Sequence, residues 1–313
     1  MIKPKKTIPA ITEFVDIAGL VKGASKGEGL GNQFLGHIRQ VGAIAHVVRC
    51  FDDQDIIHVN GKVNPIDDIE VINTELALAD LESVTKKLAS LPKAMKSHDK
   101  AVSSKAKALM PLAEKLESHL SEGKGARSLD FSNEDLELVN ELQLITMKKQ
   151  FYVCNVDEDG LTSDNAYVEQ VKEYAAQEKT TAIKICGKLE SEISVLDSEE
   201  EKQEFLKDMG LEEPGLNMLV RQGYELLNLH TYFTAGEKEV RAWTFPEGST
   251  APQCAGIIHT DFERGFIRAE AYHCDVLFEQ GSEKKIKELG KLRVEGKEYI
   301  VQDGDVLHFR FNV

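Results

Sequence analysis

Short apolar runs alternate with helical patterns through much of the chain. Near-continuous apolar runs occupy residues 43–51, 150–155 and 181–186, and such runs are typical of parallel strands buried on both faces. A run at residues 11–16 predicts a fourth strand, and a helix is predicted over about residues 30–41. Strands that alternate with helices in this way indicate an α/β fold with a parallel sheet.

Between the second and third of these four strands, the pattern changes to two narrow apolar stripes. The stripes keep helical spacing over residues 72–91 and 109–120, and Pro92 with the polar residues 93–104 separates them. Two helices with one narrow apolar face each bury those faces against each other. The pattern therefore predicts an antiparallel helical hairpin that projects from the sheet domain, with residues 93–104 as its tip.

After about residue 230 the pattern changes to short strands. Residues 299–301 and 306–311 flank Asp303-Gly304-Asp305, which predicts a β-hairpin. The other predicted elements are a strand at residues 239–245, a helix at about residues 251–259 and a strand at residues 266–270. Strands with one packed helix suggest a small α+β domain of the β-grasp kind.

Composition narrows the class of protein. The 313 residues suffice for several domains with cores of their own, and a hydrophobic content of 42% is typical of a globular protein. No apolar stretch is long enough to span a membrane, and the basic start runs into Glu13 without a signal-peptide core, so we expect a cytoplasmic protein. The five cysteines show no C-x-x-C pair and are predicted to be buried and reduced.

Charge is unevenly spread over a chain of net charge −15. Residues 73–127 carry 10 basic and 7 acidic groups, whereas residues 128–230 carry 9 basic and 23 acidic groups. The predicted hairpin is thus the only net-basic part of the chain and the electrostatic candidate for contact with nucleic acid. The alternative, an ordinary solvated helix face, stays open on the charges alone.

Candidate phosphate chemistry lies at the end of the predicted strand 11–16. Asp16 ends that strand, where a carboxylate can hold Mg²⁺ through its water shell. Gly19 can present a backbone N–H to a γ-phosphate, and five glycines between residues 19 and 31 suit a segment that orders around it. An ordinary strand-to-turn junction would also fit Asp16 and Gly19. The G-x-x-x-x-G-K-[ST] loop that cradles phosphates is absent from this sequence.

A second candidate follows the strand 150–155, at the sheet edge where open α/β folds bind ligands. Asn155 can bridge a base and a neighbouring loop, and the carboxylate of Glu158 can accept from base N–H groups. GTP-binding proteins use Asn-Lys-x-Asp at this place. Here Val156 replaces the lysine and the longer Glu158 replaces the aspartate, so guanine specificity is expected to be weak and adenine becomes plausible.

Five longer stretches together resemble the YchF, or Obg-like ATPase, family over essentially the whole chain. They are residues 16–35, 46–51, 64–76, 155–158 and 230–236. The resemblance implies a partial Ras-like P-loop NTPase domain with an inserted helical hairpin and a C-terminal TGS domain. It gives predicted limits of 1–72 with 128–229 for the nucleotide-binding domain, 73–127 for the hairpin and 230–313 for the TGS domain.

The same resemblance implies an activity, partners and site residues. It implies slow, Mg²⁺-dependent hydrolysis of ATP in preference to GTP, and association with the ribosome, with RNA contacted through the hairpin and the TGS domain. It assigns Cys186 and Gly187 to the nucleotide site. Leu20 stands where Ras-type enzymes place the water-orienting glutamine, and His58 is the catalytic candidate in its stead. We expect a monomer.

The sequence departs from the family at its start, because the first strand, the P-loop, its helix and the first switch are absent. We expect Met1 to be an internal methionine of a longer protein, which mass spectrometry of the native protein would test. A chain that truly begins there is predicted to fold marginally and to hydrolyse little ATP. Two alternatives stay open: a non-catalytic ribosome or RNA adaptor, and a guanine-specific GTPase of the Obg type.

Overall fold

The computed structural model describes residues 3–17, 30–56, 58 and 61–312, with the backbone alone for residues 30–33. The chain divides into two compact units. One contains Met1–Phe14 and Tyr224–Val313, and the other contains Val15–Gly223. The three-domain limits given above stay a prediction.

The elements of the described residues follow one another in an α/β pattern and then in an α+β pattern. In chain order they are β1 (Lys6–Ile8), α1 (Leu30–Gln40), β2 (Ala43–Arg49), α2 (Pro65–Met95), α3 (Lys100–Ser121), α4 (Asn133–Asn140), β3 (Lys149–Asn155), α5 (Glu158–Thr162), α6 (Ala166–Gln177), β4 (Ala182–Ile185), α7 (Gly187–Ser194), α8 (Glu199–Asp208), α9 (Gly215–Leu227), β5 (Leu229–Ala235), β6 (Glu239–Pro246), α10 (Ala251–Ile258), α11 (Thr260–Arg264), β7 (Phe266–His273), α12 (Cys274–Gln280), α13 (Glu283–Glu288), β8 (Arg293–Glu295) and β9 (Asp305–Phe311). Among these helices, none combines the length and apolarity needed to cross a membrane.

The larger unit contains a parallel sheet in the order β2-β3-β4. β2 and β3 are in register from Ala43 beside Lys149 to Arg49 beside Asn155, and β4 ends with Ile185 beside Asn155. The core of this unit lies between the sheet and the helices packed on it, and includes Val48, Ile69, Tyr152, Cys154, Val171 and Leu189. Because the strands run in one direction, their carboxyl ends meet at one edge of the sheet.

The fourth strand predicted at residues 11–16 does not form. Residues 9–17 are irregular, with Ile11 83% and Val15 51% exposed. A strand needs a neighbour for its backbone hydrogen bonds, and no described strand pairs with this segment. The prediction that β2 is buried on both faces was also wrong, because β2 pairs with β3 alone among the described strands and Val47 is 59% exposed.

The helical hairpin is confirmed, and its helices are longer than the apolar stripes suggested. α2 and α3 pack along each other and bury Val84, Leu91, Leu109 and Leu116 at their seam. The tip is confined to residues 96–99, whereas residues 93–104 were predicted, so that prediction was wrong. α3 begins early because the Asp99 side chain caps it by accepting from the backbone N–H groups of residues 101 and 102.

The C-terminal unit is a sheet in the order β1-β6-β5-β9-β7-β8. α10 and the partly buried Phe262 of α11 cover one face over Tyr232, Phe245 and Leu307, while α12 and α13 cover the other. The predicted elements at residues 239–245, 251–259 and 266–270 are confirmed as β6, α10 and β7. The mixed α/β fold with a helical insertion and a separate C-terminal domain is thereby confirmed.

The β-hairpin predicted around Asp303-Gly304-Asp305 does not form. The turn itself is present, with Gly304 at a φ of 82°, a value that favours glycine. Ile300 instead bridges to Thr250, and β9 pairs with β7 and β5. A further strand that the pattern did not reveal, β1, pairs in parallel with β6 from Lys6 beside Glu239.

Candidate nucleotide site

Three strand ends bring the base-site candidates together. The Asn155 side chain lies against the start of α7, where its Oδ1 accepts from the Gly187 N–H at 3.0 Å. The Asn155 carbonyl accepts from the Cys50 N–H at 2.8 Å, and the Val156 N–H donates to the Ile185 carbonyl at 2.9 Å. These bonds tie the ends of β2, β3 and β4 into one rigid edge that presents the Asn155 amide.

The turn after β3 is fixed by close packing. Val156 is buried at 2% exposure, and the Asp157 carboxylate caps α5 by accepting from the Gly160 N–H at 2.9 Å. A Cβ added at Gly160 would lie 2.8 Å from the Cβ of Val156 and 3.0 Å from Oδ1 of Asp157. Only glycine therefore fits this turn, which sets the direction of Glu158.

The Glu158 side chain is partly exposed and forms an ion pair with a lysine of α7. Its Oε1 lies 2.7 Å from Nζ of Lys188, and 44% of the Glu158 side chain is exposed. The hydrogen bond to Glu158 raises the pKa of Lys188. Behind the turn, Lys184 donates to the carbonyls of residues 160 and 161 at 3.0 Å and forms an ion pair with Asp164 at 2.8 Å. The carboxylate of Glu158 is thus held beside a positive charge on a supported loop.

Cys186 lies in the core next to this edge. Its side chain is 2% exposed and belongs to the core under the sheet, as do those of Cys50 and Cys154. The hydrogen bond with Cys154 and burial raise the pKa of the Cys50 thiol, which favours its neutral form. All five cysteines are free, and four of them are buried, as predicted, whereas Cys274 is partly exposed.

Of the phosphate-side candidates, Asp16 lies within the described residues. Asp16 is exposed in the irregular segment, and no hydrogen bond or ion pair joins it to the Asn155 group within the described ranges. Gly19 and Leu20 lie outside the described residues. A lone exposed carboxylate is a hard oxygen ligand of the kind that Mg²⁺ prefers, and Mg²⁺ keeps several of its waters when it binds proteins. Asp16 therefore fits a water-mediated magnesium contact.

The loop between β2 and α2 is organised by one arginine. The Arg49 guanidinium donates to three carbonyl oxygens of this loop, at 3.0, 3.2 and 3.0 Å, those of Phe51, Asp53 and Ile56. Its Cζ also lies 4.8 Å from the centre of the Phe51 ring. Charge-assisted hydrogen bonds of this kind are stronger than neutral ones, so Arg49 fixes the path of the loop that leads to His58.

The His58 side chain contacts the first turn of α2. Its Nε2 lies 3.0 Å from Oδ2 of Asp68, and 14% of its side chain is exposed. The sequence pattern did not reveal the contact with Asp68, which is ten residues away, or the role of Lys188. For Arg49, its place at the end of an apolar strand was a visible hint.

Comparison with known proteins places this chain in a family. Residues 229–312 match the family model described as "YchF-GTPase_C: Protein of unknown function (DUF933)". The chain is 56% identical over 315 residues to the ribosome-binding ATPase YchF of Bacillus subtilis and 54% identical over 313 residues to that of Escherichia coli O157:H7. Each alignment covers 100% of this chain and 85% of the relative.

A solved structure gives the same result. The chain is similar to the Schizosaccharomyces pombe YchF GTPase, with a TM-score of 0.86 and 40% identity over 98% of this chain and 82% of that one. Identity above half over the whole chain, together with this agreement in fold, is far beyond what a shared fold alone produces. The chain belongs to the YchF family.

Proposed function

We propose that this chain belongs to a cytoplasmic, ribosome-binding ATPase, and that its described residues supply the base-recognition and water-orienting parts of the ATP site. The observation that carries the proposal is the Asn155–Gly187 contact at the carboxyl ends of three parallel strands, 3.0 Å long. That edge is where open α/β sheets bind nucleotides. The names of the Bacillus and Escherichia relatives, ribosome-binding ATPases, support the activity and the partner.

Hydrogen-bond supply at the site favours adenine over guanine. Guanine would need a hydrogen-bond donor for its O6 atom. The Gly187 N–H cannot fully serve as that donor, because it already donates to Asn155. Glu158 already accepts from Lys188, which weakens it as a two-bond acceptor for the N–H groups of guanine. Leaving buried base atoms unpaired costs about 1–3 kcal/mol each. Adenine has neither the O6 acceptor nor the N–H groups at N1 and N2 of guanine, so its binding does not leave these atoms unpaired. The Schizosaccharomyces relative is named a GTPase, so base preference needs direct measurement.

The phosphate half of the proposal rests on Asp16 and Gly19. Asp16 would hold Mg²⁺ through water, and the ion would supply positive charge for the γ-phosphate. Gly19 would donate its N–H to the same phosphate. In hydrolysis, the oxygen of water bonds to the γ-phosphorus as the bond from that phosphorus to the bridging oxygen breaks, giving ADP and phosphate. His58 would orient that water, in place of the glutamine for which Leu20 stands.

Ribosome contact is proposed through the helical hairpin and the C-terminal domain. Four exposed lysines surround the hairpin tip without a carboxylate at ion-pair distance in the described part of the chain: Lys93, Lys96, Lys100 and Lys107. Asp99, the one acid between them, is engaged as the cap of α3. Uncompensated lysines attract phosphate backbones, so RNA is the expected surface.

The test is phosphate release from ATP–Mg²⁺ by the native protein with purified ribosomes. We expect stimulated turnover with ATP, little with GTP, and loss of turnover in His58→Ala with ribosome binding retained. The second candidate, a non-catalytic adaptor, is favoured by the lysine-rich tip. It would bind ribosomes equally with and without ATP and release no phosphate, and that result would overturn the proposal.

A further inference from the structure

We propose that Asp68 is the positioning residue for His58, holding its imidazole in the tautomer and orientation that hydrolysis requires. The inference rests on the catalytic role proposed for His58. It starts from the 3.0 Å contact between Nε2 of His58 and Oδ2 of Asp68, made where both side chains are largely shielded, at 14% and 29% exposure. Ordering both side chains in this contact costs conformational entropy, which the contact has to offset.

The chemistry of the contact fixes which nitrogen carries the proton. A carboxylate oxygen only accepts, so Nε2 of His58 donates and keeps its hydrogen. The neutral imidazole then has its lone pair on Nδ1, which can accept but not donate a hydrogen bond. The same carboxylate stabilises the positive charge that appears if Nδ1 takes a proton. Asp68 thus selects the tautomer of His58 through the contact with Nε2.

Asp68 is well supported for this task. It lies in the first turn of α2, and its N–H donates to the Asn64 carbonyl at 3.1 Å. The Asn64 side chain caps the helix, and the next residue, Ile69, is fully buried in the core under the sheet. On the other side, the His58 carbonyl accepts from the Gly61 N–H at 2.9 Å. Both partners are therefore anchored, and the contact has a defined geometry.

The neighbouring Asp67 provides a matched control. It carries the same charge in the same first turn of α2, where acids interact favourably with the helix dipole. At this helix end the contact described for His58 is with Asp68. A general effect of charge at this helix end would appear in both variants, Asp67→Asn and Asp68→Asn. An effect through His58 would appear in Asp68→Asn alone.

The experiment measures kcat and KM for ATP with the ribosome-bound native protein and its variants. We expect Asp68→Asn to lower kcat about tenfold or more, a part of the roughly 10²–10⁴-fold that general acid–base catalysis contributes, with KM changed less than twofold. Asp68→Glu is expected to recover part of kcat, and Asp67→Asn to match the unmodified protein. An unchanged kcat in Asp68→Asn would overturn the inference. A raised kcat would overturn it too, because it would show that the contact with Asp68 slows hydrolysis.

A second readout does not depend on turnover. Long-range ¹H–¹⁵N spectra of the imidazoles report which ring nitrogen carries hydrogen. We expect His58 to be in the Nε2–H form in the unmodified protein and in Asp67→Asn, and to become a mixture in Asp68→Asn; an unaltered spectrum would overturn the inference. If His58→Ala retains full turnover, the proposed function fails instead. If His58→Ala is inactive while Asp68→Asn behaves like Asp67→Asn, the positioning role alone fails.

Discussion

Single polar atoms define the chemistry of the edge of the parallel sheet where we propose that the base binds. The Oδ1 of Asn155 accepts from the Gly187 N–H, and the carboxylate of Glu158 is paired with Lys188. Sequence reasoning proposed Asn155 and Glu158 because they follow a predicted strand, whereas Gly187 came from the family resemblance. It could not find Lys188 or Asp68, because their partners are 30 and 10 residues away in the chain and only the fold brings them together.

Gly160 is predicted to be required for the turn that presents Glu158. In Gly160→Ala the new Cβ would lie 2.8 Å from the Cβ of Val156, which is buried and cannot move aside cheaply. We expect the free energy of unfolding to fall by about 1–3 kcal/mol, as for overpacked cores. Gly36→Ala in α1, where the added Cβ meets nothing within 4 Å, is the control and is expected to be neutral or slightly stabilising. Equal stability of the two variants in urea denaturation would contradict the packing.

His46 is predicted to make the larger unit acid-sensitive. Burial, and then the charge of Arg127, lower its pKa from 6.5 to about 4. Between these values the unfolded state binds more protons than the folded state, so stability is lost as pH falls through this window. We expect a loss of about 2 kcal/mol, allowing for partial exposure of the ring.

Urea denaturation from pH 7 to pH 4 measures this loss. His46→Gln removes the titrating group, and its free energy of unfolding is expected to depend less on pH in the same window. His98→Gln changes an exposed histidine of the hairpin tip and serves as the control. An identical pH dependence in His46→Gln and the unmodified protein would contradict this role.

Among the elements, those with a strong internal pattern were predictable and those that depend on a distant neighbour were not. The hairpin, α1, β3 and β6 follow from apolar spacing, because each buries a face whose period is visible in the sequence. The strand predicted at residues 11–16 failed because no described strand pairs with it, although its composition suits a strand. The β-hairpin at residues 299–311 failed because Ile300 bridges to Thr250 instead.

The hairpin tip is the element whose charge we expect to matter for binding. Replacing Lys93, Lys96 and Lys100 by glutamine removes three exposed charges without touching the apolar seam of α2 and α3. Ribosome affinity is expected to fall, and the slope of its logarithm against the logarithm of salt concentration to become shallower, because fewer counterions are released. The measurement is co-sedimentation at several salt concentrations.

The matched control for the tip replaces three lysines of residues 73–127 that already have carboxylate partners. They are Lys86, Lys105 and Lys124, paired with Glu82, Glu141 and Glu122. Their removal lowers the net charge by the same amount but frees the partner carboxylates. A salt slope reduced equally by both triple variants would show that net charge, rather than the tip, controls ribosome binding.

At the scale of the whole molecule, the charge distribution agrees with the separate sites proposed for RNA and for nucleotide. The net-basic hairpin is the expected contact with RNA, whereas the acidic residues 128–230 contain the proposed base site. The family could be recognised from the sequence because long strings such as residues 16–35 are far more specific than the short motifs inside them. The pairing of β1 with the C-terminal sheet was not predictable, since three residues carry no periodic signal.

The measurement that tests the central claim most directly is calorimetric binding of ATP–Mg²⁺ and GTP–Mg²⁺ to this chain and to Asn155→Ala. The Asn133→Ala variant, exposed on α4, is the control. The account predicts a Kd for ATP about tenfold or more below that for GTP, consistent with one unpaired polar group in the weaker complex. It also predicts weaker ATP binding in Asn155→Ala alone. Equal or tighter binding of GTP, or unchanged ATP binding in Asn155→Ala, would contradict it.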